Sequence, residues 1–105
     1  MRSPLNPNSF TAHDNLAFVL FDLHRMSEAL AHWEAALAIR PDEPDALAGK
    51  AIALQSLNRG AEAVLFYQRA VAANPTYLDC EALGREFFWS RIACNAAAPL
   101  IRQVR

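Results

Sequence analysis

The sequence predicts an all-α fold built from a repeated helical hairpin. Alanine occupies 21 of the 105 positions and leucine 13, whereas only three glycines are present, so long helices meet few residues that would break them. Residues 29–41 read ALAHWEAALAIRP, and residues 63–75 read AVLFYQRAVAANP, a similar pattern 34 positions later. A unit that recurs at this distance is typical of stacked helical arrays.

The recurring residues lie on one face of a helix that ends at a proline. Ala29, Trp33 and Ala36 are four and three residues apart, which places them on the same side of the helix. The alanines let a neighbouring helix approach closely, and the aromatic ring fills the space beside them. Pro41 cannot continue the helix and ends it. The second copy has Ala63, Tyr67, Ala70 and Pro75 at these four places. We expect Trp33 and Tyr67 to be buried in equivalent positions.

The pattern A-x3-aromatic-x2-A-x4-P with a period of 34 residues resembles the tetratricopeptide repeat family. The resemblance implies an α-α superhelix, here of two helix-turn-helix repeats followed by a C-terminal capping helix. The predicted segments are a flexible lead-in (1–9), a first repeat (10–43), a second repeat (44–77), a capping helix (77–94) and a tail or short helix (95–105), with residues 10–94 forming the domain.

Small polar residues mark the predicted helix starts. Ser9 or Thr11 can cap the first helix, and Ser27 can cap the second, because a short side-chain oxygen can accept a free backbone N–H. Asp42, with Asp45 three residues later, resembles a capping box at the start of the third helix.

Charge and hydropathy exclude several classes of protein. The net charge is −1 and the pI is about 6.3, so no overall field attracts nucleic acid or anionic lipid. The longest apolar run, residues 16–21, is far too short to span a bilayer, and no signal peptide is visible. We therefore expect a cytoplasmic protein that binds neither nucleic acid nor membranes.

The two cysteines are predicted to stay unpaired. Cys80 and Cys94 are 14 residues apart within the predicted capping helix. A helical rise of about 1.5 Å per residue separates them by about 21 Å, beyond the reach of a disulfide. Two unpaired thiols fit a reducing compartment.

No group of residues in the sequence indicates catalysis. His24, Glu28 and His32 share a four-residue spacing that suits a metal on one continuous helix, but a turn is expected at His24. Ser27, His32 and Asp22 supply the residue types of a catalytic triad without a motif around the nucleophile. No glycine-rich phosphate loop is present. We predict that the protein is not an enzyme and uses no metal or cofactor.

The resemblance implies a binding surface on the concave face, which the first helix of each repeat lines. The positions carried over to this chain are Asp14, Phe18, Phe21, Ala48, Ile52, Gln55, Glu81, Arg85 and Phe88. Relatives that clamp a C-terminal carboxylate use Lys and Asn at such places. Here only Arg85 could hold a carboxylate, so this chain departs from that clamp, and its remaining groove residues favour an apolar ligand.

Two phenylalanines of the first helix are expected to need cover. Leu16, Leu20 and Leu23 are read as its core face, and Phe18 and Phe21 lie largely off that face. A bound peptide, the last helix or a second protomer could cover them. With Ile52 and Phe88 they are predicted to form one apolar strip.

The resulting functional hypothesis is a protein-binding module. An adaptor or chaperone-like scaffold would bind an apolar peptide or helix of another protein, in helical or extended form. The alternatives are a homo-oligomeric structural protein and a regulatory subunit of an enzyme. The consecutive aromatics Phe87–Trp89 either form an interface or lie under the tail, and the sequence does not decide between these alternatives.

Overall fold

The computed structural model describes residues 9–105 and confirms the all-α fold, with no strand among these residues. The helices are α1 (Phe10–Asp22), α2 (Met26–Ile39), α3 (Pro44–Ser56), α4 (Gly60–Ala73), α5 (Cys80–Phe87) and α6 (Arg91–Val104), with a 3₁₀ turn (Pro75–Leu78) between α4 and α5. Apart from Ser9, the predicted lead-in lies outside the described residues. No helix in residues 9–105 is long and apolar enough to cross a membrane.

Both hairpins use the same turn, repeated at 34 residues. His24 and Asn58 adopt left-handed conformations, with φ of 62° and 64°. The N–H groups of the next residues, Arg25 and Arg59, each donate at 2.9 Å to a carbonyl five residues earlier. These bonds satisfy the free carbonyls at the ends of α1 and α3. Each arginine then pairs with a glutamate three residues later, at 2.7 and 2.8 Å.

The helix starts agree only partly with the predicted caps. Ser9 caps α1, since its hydroxyl accepts from the N–H of Ala12 at 3.3 Å. The prediction for Ser27 is wrong, because α2 begins one residue before it. The capping box predicted at Asp42 is also wrong. The N-cap of α3 is Glu43, which makes no side-chain cap bond.

Helix α3 is the centre of the core. It contacts α1, α2, α4 and α6. Its buried residues are Ala46, Leu47, Ala48, Gly49, Ala51, Ile52, Ala53 and Leu54. A helix that is buried on nearly all sides has no free amphipathic face, so α3 is the element on which the others pack.

The repeated aromatic residues are buried in equivalent positions, as predicted. Trp33 and Tyr67 each have 0% of their surface exposed. The indole of Trp33 packs directly against α3 at Gly49, where an added Cβ would overlap the ring. The hydroxyl of Tyr67 donates to the backbone carbonyl of Tyr77 at 2.6 Å. Each aromatic residue therefore attaches its hairpin to a neighbouring element.

The C-terminal segment differs from the single predicted capping helix. Helix α5 ends after eight residues, because Phe88 adopts a left-handed conformation with φ of 61°. The N–H of Trp89 then donates to the carbonyl of Leu83 at 3.2 Å. Ser90 starts a new helix by accepting from the N–H of Ala93 at 3.1 Å. Two helices joined by a tight turn therefore replace one long helix.

The prediction of unpaired cysteines is wrong. Cys80 begins α5 and Cys94 lies in the first turn of α6, and a disulfide joins them with their Cα atoms 5.6 Å apart. The separation of about 21 Å applied only to a continuous helix. Because the chain turns at Phe88, the two residues lie side by side.

The packing at Gly49 predicts opposite effects for two glycine-to-alanine substitutions. Gly49→Ala should lower the free energy of unfolding by about 1–3 kcal/mol, since the methyl group must displace the Trp33 ring. Gly84→Ala is the control, because the nearest atom to its Cβ would be the Trp89 carbonyl oxygen at 3.7 Å. Its gain in helix propensity is up to about 1 kcal/mol. Thermal unfolding measures both, and a raised Tm for Gly49→Ala would contradict this packing.

Candidate functional site

The last helix lies on the face that the first helices of the two repeats share. Helix α6 contacts α1 and α3, and it also packs against α4 and α5. Its buried residues are Ala93, Ala97, Leu100 and Ile101. These residues are spaced by four, three and one, so they form one face of the helix. The chain's own C-terminal helix therefore occupies part of the surface expected to bind a ligand.

Two acidic side chains hold the start of α6. The indole N–H of Trp89 donates to Oδ1 of Asp45 at 2.9 Å, and its ring centroid lies 5.2 Å from that of Phe18. The hydroxyl of Ser90 donates to Oδ1 of Asp22 at 2.7 Å. Asp22 ends α1 and Asp45 lies in the first turn of α3. The turn before α6 is therefore attached to both repeats.

A pair of carboxyl groups, Asp14 buried and Asp45 half-buried, lies beneath this turn. Asp14 is only 7% exposed, accepts from the indole N–H of Trp33 at 2.9 Å and is hydrogen-bonded to Asp45. Asp45 also accepts from the hydroxyl of Tyr77 at 2.9 Å. The pKa of Asp14 is raised to about 9, chiefly by burial and then by the hydrogen bond and negative charge of Asp45, while the hydrogen bond from Trp33 acts in the opposite direction. Asp14 is therefore protonated at neutral pH, which allows the two carboxyl groups to be in contact.

The nine predicted groove residues have three different environments. Buried within the chain are Asp14, Phe21, Ala48 and Ile52. Half-buried are Phe18 and Gln55. Exposed are Glu81, Arg85 and Phe88. The four members of the predicted apolar strip do not share one environment, because Phe21 and Ile52 lie in the core, Phe18 is half-buried and Phe88 is exposed. Their contact with a partner stays a prediction.

The predicted leucine face of α1 is also wrong. Leu16 and Leu23 are 44% and 59% exposed, whereas Phe21 is 1% exposed. The core face instead includes Ala17, Leu20 and Phe21. The helix is rotated relative to the leucine pattern, so that a small residue, Ala17, lies fully buried among the packed helices.

The three consecutive aromatics point to three different environments. Trp89 is buried with 6% of its surface exposed. Phe87 stacks on Tyr77 with ring centroids 5.4 Å apart. Phe88 is 87% exposed. Other residues of the chain bury Trp89 and partly cover Phe87, whereas Phe88 is almost fully exposed.

Sequence reasoning missed the residues that dock α6, which are Asp22, Asp45, Trp89 and Ser90. Ser90 carried a readable signal, because a serine before an alanine-rich run is a common helix start. Asp45 carried none, since an aspartate in a first helical turn fits a solvated surface equally well.

Two residues of the predicted metal spacing, His24 and His32, lie on different elements. His13 and His32 meet with their Nδ1 atoms 3.0 Å apart, whereas His24 lies in the turn before α2. Within residues 9–105 no three metal-ligating side chains come together.

The burial of Phe21 predicts that a charge at this position will unfold the chain. Phe21→Asp should lower the free energy of unfolding by about 3–5 kcal/mol or more, because it removes a packed ring and buries a carboxylate. Val19→Asp is the control on the same helix, since Val19 is 54% exposed, and a change within about 0.5 kcal/mol is expected. Urea unfolding measures both variants. A folded Phe21→Asp chain with unchanged stability would contradict the burial of this ring.

The raised pKa of Asp14 predicts a specific pH dependence. Its pKa is about 9 in the folded chain against 3.8 for the unfolded group. The folded state therefore binds more protons between these values, and this group's contribution to stability falls as the pH rises from about 4 to about 9. Asp14→Asn keeps an acceptor for Trp33 and a permanent donor to Asp45, so this fall should disappear.

Urea unfolding between pH values of about 5 and about 9 compares wild type with Asp14→Asn. The control is Asp42→Asn, because the side chain of Asp42 is 95% exposed. We expect the stability of Asp14→Asn to exceed that of wild type increasingly as the pH rises, and that of Asp42→Asn to follow wild type. Parallel curves for wild type and Asp14→Asn would show that Asp14 carries no such proton.

Comparison with known proteins agrees with this geometry. A family model described as tetratricopeptide repeat matches residues 8–75, which include α1 to α4. No curated protein and no solved structure matches the chain. Repeats of this type are generally protein–protein interaction modules, and the family is typically a non-enzymatic scaffold. The chain belongs to the tetratricopeptide repeat family.

Proposed function

We propose that this chain is a non-enzymatic, cytoplasmic protein-binding scaffold, an adaptor or chaperone-like module, whose concave groove accepts an amphipathic helix of another protein. The observation that carries the proposal is the position of α6, which packs on α3 and α4 of the second repeat and also contacts α1 of the first. A helix in this groove is a recurring mode of recognition, in which an apolar helical face fills an apolar surface.

The buried face of α6 indicates which partner helix the groove fits. Ala93 and Ala97 allow close approach of the backbones, and Leu100 and Ile101 fill the wider part of the interface. A partner helix therefore needs small residues at positions i and i+4, and large aliphatic residues at i+7 and i+8. Burial of each aliphatic side chain contributes about 1.5–3 kcal/mol before the costs of ordering.

Charge further restricts the partner. Helix α6 contains Arg91 and Arg102 and no acidic residue. The side that receives it contributes the acidic residues Asp22 and Asp45. A basic helix is therefore favoured over an acidic one. Arg85 is exposed on α5, and it remains our candidate for a contact with a carboxylate of the ligand at the edge of the groove.

Binding of a partner requires displacement of α6. A segment joined by a short linker has an effective concentration in the millimolar range, so a free helix competes at a disadvantage. The apparent affinity for a partner is reduced by the fraction of chains in which the groove is empty. Substitutions that weaken the docking of α6 should therefore increase binding.

The proposal is tested with a labelled peptide of residues 91–104, with serine in place of Cys94. Its binding to the full chain is measured by fluorescence anisotropy in dithiothreitol, so that only non-covalent contacts hold α6. Leu100→Asp in the chain should increase the affinity for the peptide by about tenfold or more, because an aspartate cannot stay in the apolar groove.

Two controls accompany this measurement. Leu65→Asp changes a leucine that is 61% exposed on α4, so it should leave binding as weak as in wild type. A peptide with aspartate in place of Leu100 should not bind the opened chain. Circular dichroism verifies that each chain keeps its helices. If a folded Leu100→Asp chain does not bind the peptide, the groove does not accept a helix and the proposal is wrong.

One observation favours self-association as a second candidate function. Leu16, Val19 and Leu23 form an exposed apolar stripe on α1. The residue of α3 equivalent to Leu16 is Lys50, whose Nζ lies 3.5 Å from a carboxylate oxygen of Glu34 on α2. The position of the second repeat that corresponds to Leu16 is therefore partly covered by α2, the helix that precedes α3. Light scattering on the purified chain distinguishes an oligomer that covers this stripe from a monomer. The regulatory-subunit alternative stays a prediction.

A further inference from the structure

The disulfide attaches α6 to a part of the chain that is itself anchored in the second repeat. Cys80 lies three residues after Tyr77, which is 1% exposed. The hydroxyl of Tyr77 donates to Asp45 at 2.9 Å, and its carbonyl accepts from Tyr67 at 2.6 Å. With the Cα atoms of Cys80 and Cys94 only 5.6 Å apart, the start of α6 cannot move away from the repeats while the bond is closed.

The non-covalent attachment of α6 is modest by comparison. Two of its four buried side chains, Ala93 and Ala97, are single methyl groups, and small side chains remove little apolar surface from water. Helix α5 does not hold α6 against the repeats in place of the disulfide, because α5 packs mainly against α6 itself and the 3₁₀ turn. Opening the disulfide therefore leaves α6 held by a small apolar face and by the bonds of Trp89 and Ser90.

The disulfide is open to solvent-borne thiols. Cys80 and Cys94 are both partly exposed and line an open cleft of about 560 Å³. Arg85, Arg91 and Glu81 line the same cleft, which leaves one excess positive charge there. Positive charge near a sulfur favours the thiolate that leaves when a disulfide is attacked. A small dithiol can therefore reach the bond, and the local charge assists its opening.

We propose that the Cys80–Cys94 disulfide is a redox latch that keeps α6 in the groove. A thiolate of a dithiol attacks one sulfur, the Cys80–Cys94 bond breaks, and a mixed disulfide forms. The second thiol of the reductant then displaces the remaining cysteine. The dithiol is oxidised to its disulfide, and its two protons end on Cys80 and Cys94. Reduction lets α6 leave the groove in a larger fraction of chains, so this inference rests on the proposed function of that groove.

Amide hydrogen exchange on the full chain, with and without dithiothreitol, tests the release of α6. We expect the amides of α6 to exchange about tenfold faster in the reduced chain, whereas the amides of α3 keep their protection. The control is the double variant Cys80→Ser with Cys94→Ser, whose α6 should exchange fast whether or not dithiothreitol is present. If exchange in α6 is the same in the oxidised and reduced chains, the latch is wrong.

Binding of the labelled peptide of residues 91–104 separates this inference from the proposed function. Affinity about tenfold or more higher for the reduced than for the oxidised wild-type chain supports the latch. Equal affinity for these two forms, together with binding to the reduced Leu100→Asp chain, overturns the latch and leaves the proposed function intact. Absence of binding to all three chains contradicts the proposed function and the latch together.

Discussion

The hydrogen-bonded pair of Asp14 and Asp45 is the contact on which the rest of the structure depends. Through Trp33 it holds α2, through Tyr77 it holds the 3₁₀ turn, and through Trp89 it holds the start of α6. Two ionised carboxylates in contact would repel each other. Burial and the contact with Asp45 therefore keep a proton on Asp14. The packing of the two repeats and the docking of the last helix are therefore stabilised by one protonated pair.

If the groove binds a helix as we propose, ligand binding is a competition within one molecule, because α6 already packs on α1 and α3. The docked helix combines a small apolar face, two hydrogen bonds to acidic side chains and one covalent bond. In the proposed mechanism, the apolar face of α6 determines which helices can replace it, and the disulfide determines whether α6 can leave. The proposal therefore assigns selection of a partner and control of access to different residues of the same segment, which can be changed separately.

The local sequence pattern was sufficient to predict the burial of some residues but not of others. Trp33 and Tyr67 were assigned correctly, because an aromatic residue between two alanines on one helix face has a single way to pack against close neighbours. The rotation of α1 was assigned wrongly, since Leu16 and Phe21 are both large apolar residues on an apolar helix. Only the positions of α2, α3 and α6 decide which of them is buried.

The sequence by itself determined the two hairpins, because their signals are local: a helical spacing, a proline stop and a turn residue, His24 or Asn58, of a type that tolerates the left-handed conformation. Only the tertiary structure decided the C-terminal segment. Phe88 is not a residue that favours a left-handed turn, and the turn there forms where Trp89 reaches Asp45, 44 positions earlier. Contacts between residues so far apart produce no periodic pattern in the sequence. The end of α5, the disulfide and the packing of α6 on the repeats could therefore not be predicted from it.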